Sequence, residues 1–374
     1  MSQKNVFQSV DQMIGSTPLM RLSKSLAQIP AGFWLKNKVK DAPEFFSLKS
    51  EVYAKVEFFN PGGSVKDRIA RHIVNEAEKS GALKKGGTVI EATSGNTGAG
   101  LAIMCASRGY KAIFVMPDKM SAEKINALRA FGAKVVISPS SVGPDHPEYY
   151  VTVSQRLARE IPGAFLANQY FNPHNPEAHY LSTGPEIWEQ MDGNIDVFAA
   201  GVGTGGTLSG TAKFLKEKNP LLKVVAVDPK GSIYTDQLER GTFEKAQPYL
   251  VEGVGEDMIP GTMDLKMPTD VVTVNDVESF SATRMLAQCE GLLTGGSCGT
   301  AFMGLVQFLA RHEMNGGKPL RAVVLLPDSG SRYLTKVFNT EWLKVKNVLS
   351  EWNQNTQLGG DIEYLPSSKK VDGV

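Results

Sequence analysis

The stretch Asn60-Pro61-Gly62-Gly63-Ser64-Val65-Lys66-Asp67-Arg68 follows an alternating run, Val52 to Phe58, that reads as a strand. After it, Ile69, Ala70, Ile73, Val74 and Ala77 fall on one helical face. Pro61 and the two glycines make a tight strand-to-helix turn. Ser64 reads as an N-cap with Asp67 three residues on, the spacing of a capping box. Lys66 then stands in the first helical turn, where the macrodipole disfavours a cation by ~0.3–1 kcal/mol. The same field lowers an amine's pKa, which suits a lysine acting as a neutral nucleophile or an imine. Taken alone, these residues fit a structural lysine equally well.

From Val52 onward, strand and helix patterns alternate. Strand patterns cover Thr88–Glu91, Ala112–Met116, Lys134–Ile137, Ile195–Ala200, Val224–Val227 and Ala322–Leu326. Helical ones cover Ser121–Phe131, Pro176–Met191, Val277–Glu290 and Cys298–His312. This predicts an α/β protein of two doubly wound domains with mainly parallel sheets. A chain of 374 residues accommodates both. Residues 1–50 and 161–350 are assigned to a larger domain, 51–160 to a smaller one, and 351–374 to a polar tail. Residues 31–50, with Trp34 and Phe45-Phe46 among lysines, show no clear period and read as a surface excursion.

Lysine and arginine number 40 against 39 acids, which argues against nucleic-acid or acidic-membrane partners. Residues 1–14 lack the apolar core of a leader, and no run has the ~18 apolar residues of a membrane span. The three cysteines are far apart without CxxC spacing, so reduced thiols in a cytoplasmic protein are expected. The five histidines form no metal pattern. His174 and His179, five apart in a Pro/Asn-rich turn, read as structural, and no metal is expected.

Three more strand-to-helix junctions carry chemistry. Glu91-Ala92-Thr93-Ser94-Gly95-Asn96-Thr97-Gly98 crowds hydroxyls, an amide and backbone N–H groups at a helix start, a carboxylate site more than a simple N-cap. Gly201-Val202-Gly203-Thr204-Gly205-Gly206-Thr207 reads as a phosphate cradle. It also fits G-x-G-x-x-G with Asp228 closing the next strand, so a nicotinamide-dependent dehydrogenase is a rival. Against it, Pro229 follows Asp228 at once, and Lys66 and Thr93–Thr97 would have no task. Gly295-Gly296-Ser297-Cys298-Gly299 opens another helix, and Leu326-Pro327-Asp328-Ser329-Gly330 ends the last strand. A lysine, a phosphate cradle and a carboxylate loop on one rim of strand ends suit pyridoxal phosphate holding an amino acid.

From Gly15 to about Trp342 the chain resembles the cysteine synthase/cystathionine β-synthase family of fold-type-II pyridoxal-phosphate enzymes, with a tryptophan synthase beta-like fold. Pro61–Arg68, Thr93–Gly98 and Gly203–Thr207 carry the resemblance. It implies that Lys66 is the Schiff-base lysine, that Asn96 meets the cofactor's phenolic oxygen, and that Gly203, Thr204, Gly205, Gly206 and Thr207 hold its phosphate. Ser297 would face the pyridine nitrogen, and Thr93, Ser94, Thr97 and Gln169 would bind the substrate carboxylate.

Met116–Ser121 with Glu123-Lys124, Asn168-Gln169-Tyr170 with Asn175-Pro176 and Ala178-His179-Tyr180, and Glu252–Gly255 are similar to the cystathionine β-synthase branch. The resemblance then implies β-replacement on L-serine by L-homocysteine through an aminoacrylate, in a cytoplasmic homodimer acting on small amino acids. Glu252 would meet the ammonium of the acceptor, a role that Glu256 nearby could also take, and Tyr170 would lie in the substrate site. Cysteine synthase and serine/threonine dehydratase are the alternatives. Departures are Glu256, where the animal enzymes carry tyrosine, and the 31–50 excursion. No Cys or His precedes Gly15 and no regulatory module follows, so neither haem nor activation by S-adenosylmethionine through such a module is expected.

Overall fold

A computed structural model describes residues 6–27, 47–93, 95–118, 120, 122–143 and 145–350. Most of the 31–50 excursion, Ser94 and the tail at 351–374 lie outside the described residues. The strands are β1 (Leu19–Leu22), β2 (Glu51–Val56), β3 (Thr88–Ala92), β4 (Lys111–Pro117), β5 (Lys134–Ser138), β6 (Ala164–Leu166), β7 (Val197–Gly201), β8 (Lys223–Pro229), β9 (Asp270–Val274) and β10 (Arg321–Leu326). They form a six-stranded sheet, ordered β1-β2-β10-β7-β8-β9, and a four-stranded sheet, β5-β4-β3-β6. Every pairing is parallel except the β1–β2 edge. The helices that position the site are α1 (Lys66–Lys79), α2 (Asn96–Arg108), α3 (Gly206–Lys218), α4 (Asp276–Glu290) and α5 (Gly296–Met314).

Parallel strands covered on both faces read as continuous apolar runs. Along β7, Val197 and Ala199 enter a core with Ala301 and Leu305 of α5. Phe198 and Ala200 enter a second core with Leu208, Ala212 and Leu215 of α3. The smaller sheet buries Val89 and Phe114 against Ile69, Ile73 and Val74 of α1 and Leu101 and Met104 of α2.

The structure corrects the expected partition. Glu51–Val56, assigned to the smaller domain, pairs with β10 inside the six-stranded sheet. Ala164–Leu166, assigned to the larger one, pairs with β3. Spacing along the chain does not reveal which strand a segment pairs with. The helix expected over Pro176–Met191 runs without a gap from His174 to Gln190, passing through a π-helical stretch at His179–Thr183 between His174–Ala178 and Gly184–Gln190. Pro185 has no N–H for the ladder, and Gly184 lets the Phe214 side chain lie 2.8–3.0 Å from where a Cβ would stand.

α1 is pinned by charge. Arg68 is fully buried and donates to Glu57 at 2.7 and 2.8 Å, to both oxygens of Glu186 at 2.7 Å, and to Thr17 at 3.0 Å. Lys55 adds a 2.7 Å bond to Glu186 and another to the Thr17 carbonyl. Burial opposes the Glu186 charge, but Arg68 and Lys55 outweigh it and bring its pKa down to about 2. Because that value is depressed, its contribution to stability is present above the unfolded value of about 4.3 and is lost as pH falls toward 2.

Removing one partner of a buried pair strands the other charge, at a cost of about 3–5 kcal/mol. Arg68→Met is therefore expected to lower the unfolding free energy by that amount in urea titration at pH 7. A loss under about 1 kcal/mol, the scale of a surface pair, would contradict the network's role.

Candidate active site

The loops after β2, β3, β7 and β10 all leave the C-terminal ends of their strands, where open α/β sheets hold ligands. Two of them are laced together: Val65 N–H donates to the Pro327 carbonyl at 2.8 Å, and Ser329 N–H to the Gly63 carbonyl at 3.2 Å. Asp328, buried between them, accepts from Asn96 Nδ2 at 2.8 Å, Tyr333 Oη at 2.6 Å and Ser297 Oγ at 3.4 Å. One carboxylate thus joins the start of α2, the start of α5 and the end of β10.

Lys66, Gly203, Thr204, Gly205, Thr207, Gly253 and Ser297 line one cavity. Burial lowers the Lys66 pKa, against the opposing pull of Asp328 and Glu256. Desolvation, rather than the helix dipole invoked from sequence, is therefore the main cause. The expected capping box does not form, and Val65 stands at the N-cap. Ser64 Oγ accepts from Lys66 N–H at 3.3 Å, but the Asp67 carboxylate turns back to Gly62 N–H instead of the Ser64 amide.

The glycine loop, expected from its sequence to hold a phosphate, is tightly packed. Gly205 has φ +79°, and a Cβ there would stand 2.5 Å from Met263 Cβ. The backbone N–H groups of residues 203–208 donate to no group among the described residues, leaving a ring of free donors at the N-terminus of α3. Bracing comes from outside the loop. Thr262 Oγ1 donates to the Thr204 carbonyl at 2.6 Å, Tyr234 Oη to the Gly203 carbonyl at 2.6 Å, and Asn175 Nδ2 to Thr204 Oγ1 at 3.1 Å. His179 Nε2 lies 3.1 Å from Thr207 Oγ1, and burial holds its pKa well below the usual range, so it braces the loop as a neutral ring. Asp228, the acid of the dinucleotide reading, is buried and accepts from Thr235 N–H at 2.8 Å and Thr235 Oγ1 at 2.9 Å. It faces no ribose site.

The 91–98 loop, expected to bind a carboxylate, is held by its own hydrogen bonds. Thr93 Oγ1 accepts from Gly95 and Gly98 N–H at 3.1 Å each, leaving its own O–H to donate. Thr97 Oγ1 donates to Gln169 Oε1 at 2.6 Å, and Gln169 Nε2 donates to the Ala92 carbonyl at 3.1 Å. The N–H groups of Asn96 and Thr97 find no acceptor among the described residues. Ser94 lies outside those residues. Tyr170 packs beside them, its carbonyl accepting from Thr262 N–H and Oγ1 at 3.2 Å.

Two acids differ from expectation. Glu252, read as a free partner for an incoming ammonium, is already paired with Lys124 and with Lys336, the latter at 2.5 Å. Glu256 is the half-buried acid whose carboxylate has no hydrogen-bond or ion-pair partner among the described residues. Its Oε1 would lie 3.9 Å from a Cβ at Gly203. Burial, with Asp257 adding to it, raises its pKa to about 8 despite Lys66. Asp328, Arg332 and Lys124 are the site residues that sequence reasoning did not assign. Arg332 donates to Asn96 Oδ1 and to the Gly62 carbonyl, and Lys124 lies under Gly95 and over the Tyr333 ring at 5.3 Å. The Pro327-Asp328 stretch at a strand end was the available signal for the first.

Comparison with known proteins agrees with this geometry. The pyridoxal-phosphate dependent enzyme family matches residues 38–328. The chain is 44% identical over 346 residues to cystathionine beta-synthase of Apis mellifera, covering 91% of this chain and 63% of that one. It is 40% identical over 336 residues to cysteine synthase of Staphylococcus aureus (strain Mu50 / ATCC 700699), covering 90% of this chain and 97% of that one. The solved structure of an O-acetylserine dependent cystathionine beta-synthase from Helicobacter pylori superposes with a TM-score of 0.75 at 35% identity, over 88% of this chain and 98% of that one. The chain spans 56–63% of the length of the animal cystathionine beta-synthases it matches. No described helix is long and apolar enough to cross a membrane.

The residues present fit pyridoxal phosphate: a desolvated lysine amine shares a cavity with free N–H donors suited to a phosphate. Gly205→Ala should keep the far-ultraviolet spectrum of the wild type and weaken pyridoxal-phosphate affinity at least tenfold in fluorescence titration. The added Cβ meets Met263 and the φ value is strained. Unchanged affinity would mean that the phosphate lies elsewhere.

Proposed function

We propose that this chain, a member of the pyridoxal-phosphate dependent enzyme family, replaces the β-hydroxyl of L-serine with the thiol of L-homocysteine, giving L-cystathionine and water. The observation that carries the reading is the Lys66 amine, desolvated in the same cavity as the glycine cradle and Ser297. The similarity to cystathionine beta-synthases supports the choice of acceptor.

Bound in this cavity, pyridoxal phosphate supplies the electron sink that makes the substrate Cα–H acidic. Residues 203–207 would hold its phosphate, Asn96 its phenolic oxygen and Ser297 its ring nitrogen. Lys66, with its pKa lowered by burial, takes up the Cα proton as a neutral amine and returns a proton to the departing hydroxyl, which leaves as water. The Thr93 hydroxyl and the N–H groups of Asn96 and Thr97 receive the substrate carboxylate at the start of α2. Ser297 offers a neutral hydroxyl, and its contact with Asp328 is long at 3.4 Å, so the O–H can turn to donate to the ring nitrogen and place no carboxylate there. That favours elimination over reactions needing a long-lived carbanion.

Homocysteine brings an ammonium and a carboxylate that sulfide lacks. Glu256, unpaired among the described residues and beside the glycine loop, is the acid suited to that ammonium, whose approach would favour its ionised form, and Glu252 supports the loop through its two lysines. A second reading, O-acetylserine with sulfide giving L-cysteine, draws support from the Staphylococcus aureus and Helicobacter pylori relatives.

Product analysis separates the two. Serine plus homocysteine should give cystathionine with a higher kcat/KM than O-acetylserine plus sulfide gives cysteine, and the reverse order would make cysteine synthase the better reading. A charge-assisted hydrogen bond is worth ~1.5–3 kcal/mol, or roughly one to two decades in affinity. Glu256→Gln should therefore raise the KM for homocysteine 10- to 100-fold and leave sulfide use unchanged. Equal losses with both acceptors would remove Glu256 from acceptor recognition.

A further inference from the structure

We propose that His72, His174 and Glu177 form a binding site for a divalent cation of the zinc class, separate from the cofactor cavity. His72 lies on α1, and His174 and Glu177 stand three apart in the short helix His174–Ala178. Both imidazoles converge on a single carboxylate oxygen. His72 Nε2 is 3.0 Å and His174 Nδ1 2.6 Å from Glu177 Oε2, and the three candidate ligand atoms lie within 4.8 Å of one another. The rings meet edge to face with centroids 5.7 Å apart. Zinc binds imidazole nitrogen and carboxylate oxygen at about 2.0–2.2 Å, so tetrahedral ligand atoms stand roughly 3.3–3.5 Å apart. The observed 3.0 and 2.6 Å separations, with all three atoms within 4.8 Å, bracket that spacing.

The surroundings accept a cation. Neither ring makes another hydrogen bond among the described residues. The nearest guanidinium groups are engaged elsewhere: Arg68 with Glu57 and Glu186, and Arg71 with the Asp11 and Ile14 carbonyls at 3.2 and 2.7 Å. As ligands, two imidazole nitrogens and one carboxylate would bring a single negative charge to the ion. They leave a fourth position for water, and their nitrogen and oxygen donors suit zinc over calcium or magnesium. A plain ion pair would need only one histidine.

The location gives the cation a consequence. α1 begins with Lys66, and the turn bearing His174 also bears Asn175, which donates to the Gln169 carbonyl at 2.7 Å and to Thr204 Oγ1 at 3.1 Å. A cation here ties the helix of the reactive lysine to the turn that supports both the carboxylate loop and the phosphate cradle. Occupancy then raises thermal stability and tightens the cofactor site.

Metal-free holoenzyme titrated with Zn2+ by calorimetry should bind one equivalent saturably, with a rise in melting temperature. Co2+ should give tetrahedral visible bands at wavelengths beyond the cofactor's own. His72→Ala and His174→Ala should each weaken Zn2+ binding at least tenfold and abolish the thermal shift, whereas Cys289→Ala should leave both unchanged. Absence of saturable binding, or affinity equal to wild type in both histidine variants, would overturn the proposal.

Discussion

The site depends on the burial of one carboxylate. An ionised group withdrawn from water costs several kcal/mol unless donors surround it, and Asp328 is buried. It recruits Asn96 from the start of α2, Ser297 from the start of α5 and Tyr333 from the segment after β10. Three chain segments far apart in sequence are thereby fixed to one point. The adjoining backbone pairing of Val65 with Pro327 and of Gly63 with Ser329 brings the Lys66 turn to the same rim.

That assembly sets the chemistry. Burial drives the Lys66 amine toward neutrality and the Glu256 carboxyl, beside the glycine loop, toward protonation. The two shifts bring the proton affinities of the amine and the carboxyl closer together, so each group is pushed toward its neutral form. The glycine cradle needs no side-chain cation, because unpartnered N–H groups and the end of α3 supply positive potential. Lys66 is consequently left for the reaction and not for holding phosphate.

How much of this could be read beforehand follows from the range of each interaction. The strand-to-helix junctions at 60–68, 91–98 and 201–207 were legible because turn, cap and periodicity are local properties of the chain. So were the alternation of elements and the parallel character of both sheets. Long-range pairing was not. β2 joins the larger sheet through β10, Glu252 is claimed by Lys124 and Lys336, and Asp328 gains its partners only on folding. His174 looked isolated beside His179, since the ring it faces, His72, lies on α1 far earlier in the chain. The lowered pKa of Lys66 was anticipated from the wrong dominant cause. A dipole can be inferred from a helix start, but burial by β10 and the glycine loop cannot.

The central claim is that the Lys66 amine carries the cofactor. Borohydride reduction of the yellow holoenzyme, followed by proteolysis and mass mapping, tests it most directly. A single pyridoxyl group on the peptide containing Lys66, with loss of the visible band, is the predicted result. A pyridoxyl group on Lys55 or Lys124, or no incorporation at all, would contradict the account.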